Sequence, residues 1–327
     1  LLILSENQIR SLYTMKDAIK DLEEALHHYI EGKIYNPNRT FLAFPAQRAS
    51  TIYMPSSMEP IGKSAVKVVS IFPNNPSQGK KTTQGVILLS STENGDHLAC
   101  MNASYLTRLR TGAISGVATK YLAKQNADTV AVIGCGAMAE EQLQAVLEVR
   151  AIKEILLYNR TKGKEEDFAK KIPGWGFKGT ITIVEKADEA VSQADIIICA
   201  TRSETPVFSG KALQPGTHIN GVGSYLPHMQ EIDEETLSKC SKIVVDSMEG
   251  VKEEAGDFII PSKKGTWSFE QINGEIGQLA TGQIVGRENE EEITFFKSVG
   301  IAYFDLTVAA AVYEKATSAG VGTNADI

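Results

Sequence analysis

Apolar positions along this chain recur with different periods, and the changes of period outline its architecture. Behind a Thr14-Met15-Lys16-Asp17 capping box, Ile19, Leu22, Leu26, Tyr29 and Ile30 follow the spacing of one helical face. From about 39 to 101 the pattern shortens to strands at 39–44, 51–54, 62–72, 85–90 and 97–101. Pro55, Pro60, Pro73-Asn74-Asn75-Pro76 and the turn Glu93-Asn94-Gly95-Asp96 separate them, so an antiparallel meander is expected. A helix follows over about 103–124. Strands near 129–134, 154–159, 179–184, 195–200, 217–222 and 242–246 then alternate with helical stretches, the pattern of a doubly wound parallel sheet. Helical spacing returns in the tail from Asp305 to Ala319, through Leu306, Val308, Ala309, Val312, Tyr313 and Ala316.

The first of the alternating strands carries the strongest local motif. A β-rich run, Val130 to Ile133, enters Gly134-Cys135-Gly136-Ala137-Met138-Ala139, and a helix with Leu143, Val146 and Leu147 on one face follows. In a dinucleotide-binding loop the first glycine makes the tight turn and the second lets backbone N–H groups approach a pyrophosphate. The small third residue allows close helix–strand packing. The expected fold is therefore α/β, a Rossmann-type doubly wound sheet over 118–300. It is inserted into a smaller α+β domain made of 1–117 and 301–327. At the end of the next strand stands Asn159-Arg160-Thr161-Lys162, where a NAD-binding unit carries an acid for the ribose 2′-hydroxyl. No acid is present, and a guanidinium pairs with a 2′-phosphate that a carboxylate would repel. The expected cofactor is NADP(H), with NAD(H) as the second choice.

Composition narrows the functional classes. The 327 residues are 43% hydrophobic and 22% charged, an ordinary globular balance with room for two domains. A net charge of −7, with no Lys/Arg block, argues against nucleic acid as a partner. The longest apolar runs fall far short of the ~20 residues that span a bilayer, so no membrane partner is expected. Leu1-Leu2-Ile3-Leu4-Ser5 has no basic region or cleavage site and does not read as a signal peptide. Cys100, Cys135, Cys199 and Cys240 are scattered, without a CxxC pair or histidines at metal spacing. They read as free thiols in a reducing cytoplasm, with no metal site. Cys135, inside the glycine loop, reads as a small filler, since no base is placed beside it.

Two cations stand where apolar residues belong. Lys67, in Ser64-Ala65-Val66-Lys67-Val68-Val69-Ser70-Ile71, shares one face with Ala65, Val69 and Ile71, while Val66 and Val68 occupy the other. Either it snorkels from an edge strand, or it is buried against a carboxylate with its pKa drawn down. Arg110 shares a helical stripe with Leu106, Ala113, Ile114 and Val117, whereas Arg108 lies on a different face. An inward arginine needs an anion: a phosphate, a substrate carboxylate or a structural ion-pair partner. Arg39 opens the strand Arg39–Phe44 and carries no weight alone.

Taken with the glycine loop, these residues give the chain a resemblance to the ornithine cyclodeaminase/mu-crystallin family over nearly its whole length. The matches run in order: Asn38-Arg39-Thr40, the strand around Lys67, Leu106-Thr107-Arg108-Leu109-Arg110-Thr111-Gly112-Ala113, and Gly134-Cys135-Gly136. Asn220-Gly221-Val222-Gly223-Ser224-Tyr225 follows with Pro227 and Glu231, then Gly274-Glu275, Gly286-Arg287 and the run Ile293 to Gly300. Asn159-Arg160-Thr161 resembles the NADP-binding mu-crystallin branch. The resemblance implies that Arg39, Lys67 and Arg110 gather around a substrate carboxylate, with Lys67 transferring protons. It also implies that Arg110, Thr111, Ala137, Met138, Thr201, Val222 and Ser298 contact the cofactor held by Gly134 and Gly136. A homodimer through the first domain is implied as well.

One departure bears on activity. Cyclodeaminases of the family carry an Asp just after a Val-Gly-Gly run, and Val222-Gly223-Ser224 puts Tyr225 in its place. A phenol does not supply a carboxylate at neutral pH, and His228 reads as a surface residue of the same loop. The expected activity is NADP(H)-dependent oxidation or reduction at the CH–NH2 or C=N bond of a small amino or imino acid. Tyr225 would then border the substrate. The alternatives are ornithine cyclodeaminase, forming proline and ammonia with a retained cofactor, and an NADPH-dependent small-molecule binder without catalysis.

Overall fold

Eight strands run parallel in one sheet of the computed structural model, which describes residues 1–326. Their spatial order is Thr180–Ile183, Glu154–Tyr158, Thr129–Ile133, Ile196–Cys199, His218–Gly221, Thr294–Lys297, Lys242–Val245 and Gly274–Glu275. Every neighbouring pair is parallel. Strands covered on both faces read as unbroken apolar runs, and Ile196, Ile197, Ile198 and Cys199 are all buried. The chain steps outward from Thr129–Ile133 to Thr180–Ile183, then restarts on the other side at Ile196–Cys199. That reversal is a topological switch point, and open α/β sheets take their ligands at the carboxyl ends of the strands beside one.

The spacing expected six strands here, and two more join them. Thr294–Lys297 slots between His218–Gly221 and Lys242–Val245, and Gly274–Glu275 extends the edge. Four-residue Thr-Phe-Phe-Lys ends in a charge, which hides it from a search for apolar runs. Its charge is satisfied by a partner far away in sequence.

A second, mixed sheet is ordered Thr323–Asn324, Leu2–Leu4, His97–Asn102, Thr83–Ser91, Lys63–Ile71, Ala49–Met58 and Ile34–Tyr35, with Thr40–Phe44 also pairing Ala49–Met58. The meander is antiparallel as expected, and Leu2–Leu4 adds a parallel strand beside His97–Asn102. The strand Ala49–Met58 runs through Pro55 instead of stopping at 54. On one side it pairs with Thr40–Phe44 over residues 49–53 and with Ile34–Tyr35 over 57–58. Pro55 falls in the gap, where no ladder donor is required.

Helix Ala302–Ala319 lies across strands Ala49–Met58, Lys63–Ile71 and Thr83–Ser91, and helix Met15–Ile30 packs on it behind the expected Thr14–Asp17 capping box. Strand Lys63–Ile71 alternates accordingly, with Ala65 and Lys67 buried and Val66 and Val68 half-buried on the opposite face. The chain divides into two units, Leu1–Arg110 with Ile301–Ile327, and Thr111–Gly300. The first cut lies inside helix Ala103–Leu122. No helix among the described residues is long and apolar enough to cross a membrane.

Candidate active site

In the first unit Lys67 is 2% exposed, on a strand paired on both sides, so it does not snorkel from an edge. Buried Met54 and Ile87 face it across the ladder. Its Nζ donates to Asp305 Oδ2 at 2.6 Å, and Arg110 Nε donates to Asp305 Oδ1 at 3.2 Å. One buried carboxylate thus bridges two buried cations. Burial pulls the Lys67 ammonium down to about 8; Asp305 opposes that, while the charges of Arg110 and Arg39 add to it. Arg39 is half-buried at the entrance to Thr40–Phe44. Its loop is tied to the same helix, since Asn36 Oδ1 accepts the N–H of Tyr303. Two buried cations, Lys67 and Arg110, thus share the single carboxylate of Asp305.

Asp305 is not singled out by any sequence motif, yet like Lys67 it is a charge set in an apolar element. It stands in the first turn of a helix whose Tyr303, Phe304, Leu306, Val308 and Ala309 are all buried, so it must meet a cation. The helix begins at Ala302 instead of 305, which places the acid at the end where the backbone dipole favours it.

In the second unit the glycine loop makes a tight turn into a helix. Gly134 has φ +97°, and a Cβ there would lie 2.6 Å from Thr201 Cγ2, so no other residue fits. Gly136 caps helix Ala137–Val149, and a Cβ on it would meet nothing within 4 Å. Gly136 and Ala137 are exposed and Met138 is half-buried. Asn159 braces this loop from the next strand: its Oδ1 accepts the Cys135 N–H at 3.0 Å and its Nδ2 donates to Thr161 O at 2.7 Å. Arg160 and Thr161 are exposed, and Arg160 has no hydrogen-bond or ion-pair partner among the described residues. Burial, aided by Glu165 and Glu166, pushes the Cys135 thiol up to about 12, which removes it as a nucleophile.

Among the remaining candidates, Thr201 and Ser298 rest on buried carboxylates. Thr201 donates through its N–H and hydroxyl to Glu231 Oε1, at 2.6 and 2.8 Å. Gly223 and Ser224 donate their N–H groups to Glu231 Oε2, at 2.7 and 3.1 Å. Val222 is buried between them in sequence. Asp257 Oδ1 accepts the N–H groups of Glu231 and Ile232, and its Oδ2 pairs with Lys297 Nζ at 2.7 Å. Ser298 Oγ, with the N–H groups of Val299 and Gly300, donates to Asp246 Oδ2. Thr111 is buried and accepts the Ser115 hydroxyl through its carbonyl. Tyr225 is half-buried, whereas His228 is exposed, 4.0 Å from Glu204 on the surface. Asp246, Asp257 and Lys297 went unread because their partners are backbone groups or residues distant in sequence.

Comparisons with known proteins place the whole chain among characterised relatives. The chain is 43% identical over 98% of its length, and 98% of theirs, to Delta(1)-pyrroline-2-carboxylate reductase of Bacillus cereus. The structure of the Thermococcus litoralis Delta(1)-pyrroline-2-carboxylate reductase in complex with NADH and L-proline matches with a TM-score of 0.96. That match has 41% identity and covers 99% of this chain and 100% of that one. An archaeal alanine dehydrogenase dimer with bound NAD matches with a TM-score of 0.93 at 36% identity, covering 100% and 99%. The model of the ornithine cyclodeaminase/mu-crystallin family matches residues 2–320. The chain belongs to the ornithine cyclodeaminase/mu-crystallin family.

Proposed function

We propose that this protein is a nicotinamide-dependent oxidoreductase acting on the C–N bond at the α-carbon of a small amino or imino acid, a ketimine reductase or amino-acid dehydrogenase. The observation that carries the reading is the buried Lys67–Asp305–Arg110 bridge, an ionised proton donor beside surplus cationic charge. Relatives that act on pyrroline-2-carboxylate and alanine support it. The first unit (residues 1–110 and 301–327) serves as the substrate-binding and dimerisation domain. The second (residues 111–300) holds the dinucleotide.

Arg39 and Arg110 hold the substrate carboxylate. A nicotinamide dinucleotide held at the Gly134–Gly136 turn would supply hydride-transfer chemistry for the α-carbon. Lys67, an ammonium below about pH 8, gives a proton to the imine nitrogen in reduction and takes one back in oxidation. Ile52, Met54 and Ala302 form an apolar cluster with Val69 and Ile71 on the lysine's face, which suits an uncharged side chain. Tyr225 offers no carboxylate to a distal ammonium, so ornithine cyclisation is not favoured.

For the cofactor, the residues fit the group. The open backbone at Gly136, the helix start at Ala137 and Met138, and unpaired Arg160 are what a pyrophosphate and a 2′-phosphate require. Gly134, Thr111, Thr201, Val222 and Ser298 complete the lining, Asn159 and Thr161 shape the turn beside Arg160, and NADP(H) is preferred to NAD(H). A homodimer forms through the sheet face opposite Lys67, where Tyr53 and Val86, each paired across the ladder with Val68, are exposed. The alanine dehydrogenase dimer supports that assembly.

The test is a panel of cyclic imino acids, 2-oxo acids with amines, and amino acids, read by nicotinamide absorbance with ammonia assayed in parallel. Stoichiometric cofactor turnover is expected with a small apolar substrate. Ammonia and proline from ornithine without net cofactor change would overturn the proposal.

A further inference from the structure

Between the loops that follow two neighbouring strands of the parallel sheet sits a buried acid that the proposed chemistry does not use. Glu231 receives four donors from two separate loops, Thr201 N–H and hydroxyl on one oxygen, Gly223 and Ser224 N–H on the other. These loops follow strands Ile196–Cys199 and His218–Gly221. They meet so closely that a Cβ on Gly223 would lie 2.0 Å from Thr201 O, while Thr201 Cγ2 itself abuts Gly134. The acid is in turn fixed from behind, where Asp257 takes its N–H and pairs with Lys297.

A dinucleotide centred on the Gly134–Gly136 turn sends its adenosine half toward the end of the next strand, at Asn159–Thr161. The other half then lies over the strand ends on the opposite side of the switch point, where Glu231 clamps its two loops. We propose that Glu231 is a positioning residue for the nicotinamide half of the cofactor, locking the loops of Thr201 and Val222–Ser224 into one surface. A carboxylate is required because all four groups facing it are donors. A glutamine amide would turn its NH2 toward two of them and release one loop. The inference rests on the cofactor assignment above.

The experiment compares wild type, Glu231→Gln and Glu231→Asp as full chains, titrated with NADPH and with 2′,5′-ADP, and with NADH and ADP. The aspartate keeps the charge but is one methylene too short to reach both loops, and it serves where the glutamine variant fails to fold. Expected is a loss of dinucleotide affinity of about tenfold or more, the ordinary cost of a charge-assisted contact, with the adenosine nucleotides bound within about twofold of wild type. Equal losses for both halves, or no loss for either, would overturn the positioning role while leaving the cofactor assignment intact. Failure of the wild type to bind either dinucleotide would overturn both.

Discussion

Lys67 and Lys297 each meet an aspartate inside the protein, 2.6 Å from Asp305 and 2.7 Å from Asp257, with side chains no more than 2% exposed. Their surroundings differ. Around Lys297 the excess is anionic: Asp257 and Glu231 are nearby, and their oxygens are spent on backbone N–H groups and the Thr201 hydroxyl. Around Lys67 the excess is cationic, since Asp305 is shared with Arg110 and the charge of Arg39 reaches the same point. The first arrangement is closed, every charge being consumed by the fold. The second divides one carboxylate between two buried cations and leaves an ammonium drawn down to about 8. On the proposed function, a lysine–aspartate pair is a brace or a catalytic element according to what else faces it.

Substitution at each lysine breaks the comparison in opposite ways. Lys297→Met leaves Asp257 buried and unpaired, and should cost about 3–5 kcal/mol in a denaturant titration. Lys67→Met leaves Asp305 paired with Arg110, so its stability loss should be smaller. Turnover should instead fall by about 10²-fold or more with dinucleotide affinity nearly unchanged. If Lys67→Met proved the less stable variant and retained turnover, the two roles would have to be exchanged.

The pH dependence sharpens the same contrast. Burial lowers Lys67 from 10.5 to about 8. In reduction, where the ammonium gives the proton, the rate should fall as pH rises through about 8; in oxidation it should rise through the same region. Between about 8 and 10.5 the unfolded chain holds a proton that the folded chain has lost, so this lysine makes stability increase with pH across that window. The stabilising slope should vanish in Lys67→Met, a difference readable from melts at paired pH values.

How much of this was legible in the sequence depended on whether the partner was local. The glycine loop, the alternating elements after residue 128 and the misplaced Lys67 and Arg110 each showed themselves within a dozen residues, through period or composition. The strand Thr294–Lys297 did not, because its place between two earlier strands is set by packing and its charge by Asp257. Asp305 was within reach, since an acid in an apolar helix poses the same question as a lysine in an apolar strand. Glu231 was visible only as a family match; its four donors come from loops seven to thirty residues away.

The smallest expected effect lies at the cofactor's adenosine end. Arg160, exposed and without a partner among the described residues, should contribute about 1.5–3 kcal/mol to a 2′-phosphate contact and nothing to a 2′-hydroxyl. Arg160→Ala should weaken NADPH binding accordingly and leave NADH binding almost unchanged, as read by fluorescence titration. Tighter binding of NADH than NADPH by the unaltered protein would contradict the cofactor preference without touching the lysine chemistry.

The central claim, that the open pair at Lys67 serves net redox chemistry at a C–N bond, is tested most directly by one assay. The native protein is given NADPH and Delta(1)-pyrroline-2-carboxylate, and nicotinamide absorbance is followed as proline accumulates. One cofactor should be oxidised for each proline formed, with the rate reduced to about 1% or less by Lys67→Met. Absence of turnover with this and every other small imino acid, or full turnover in the lysine variant, would contradict it.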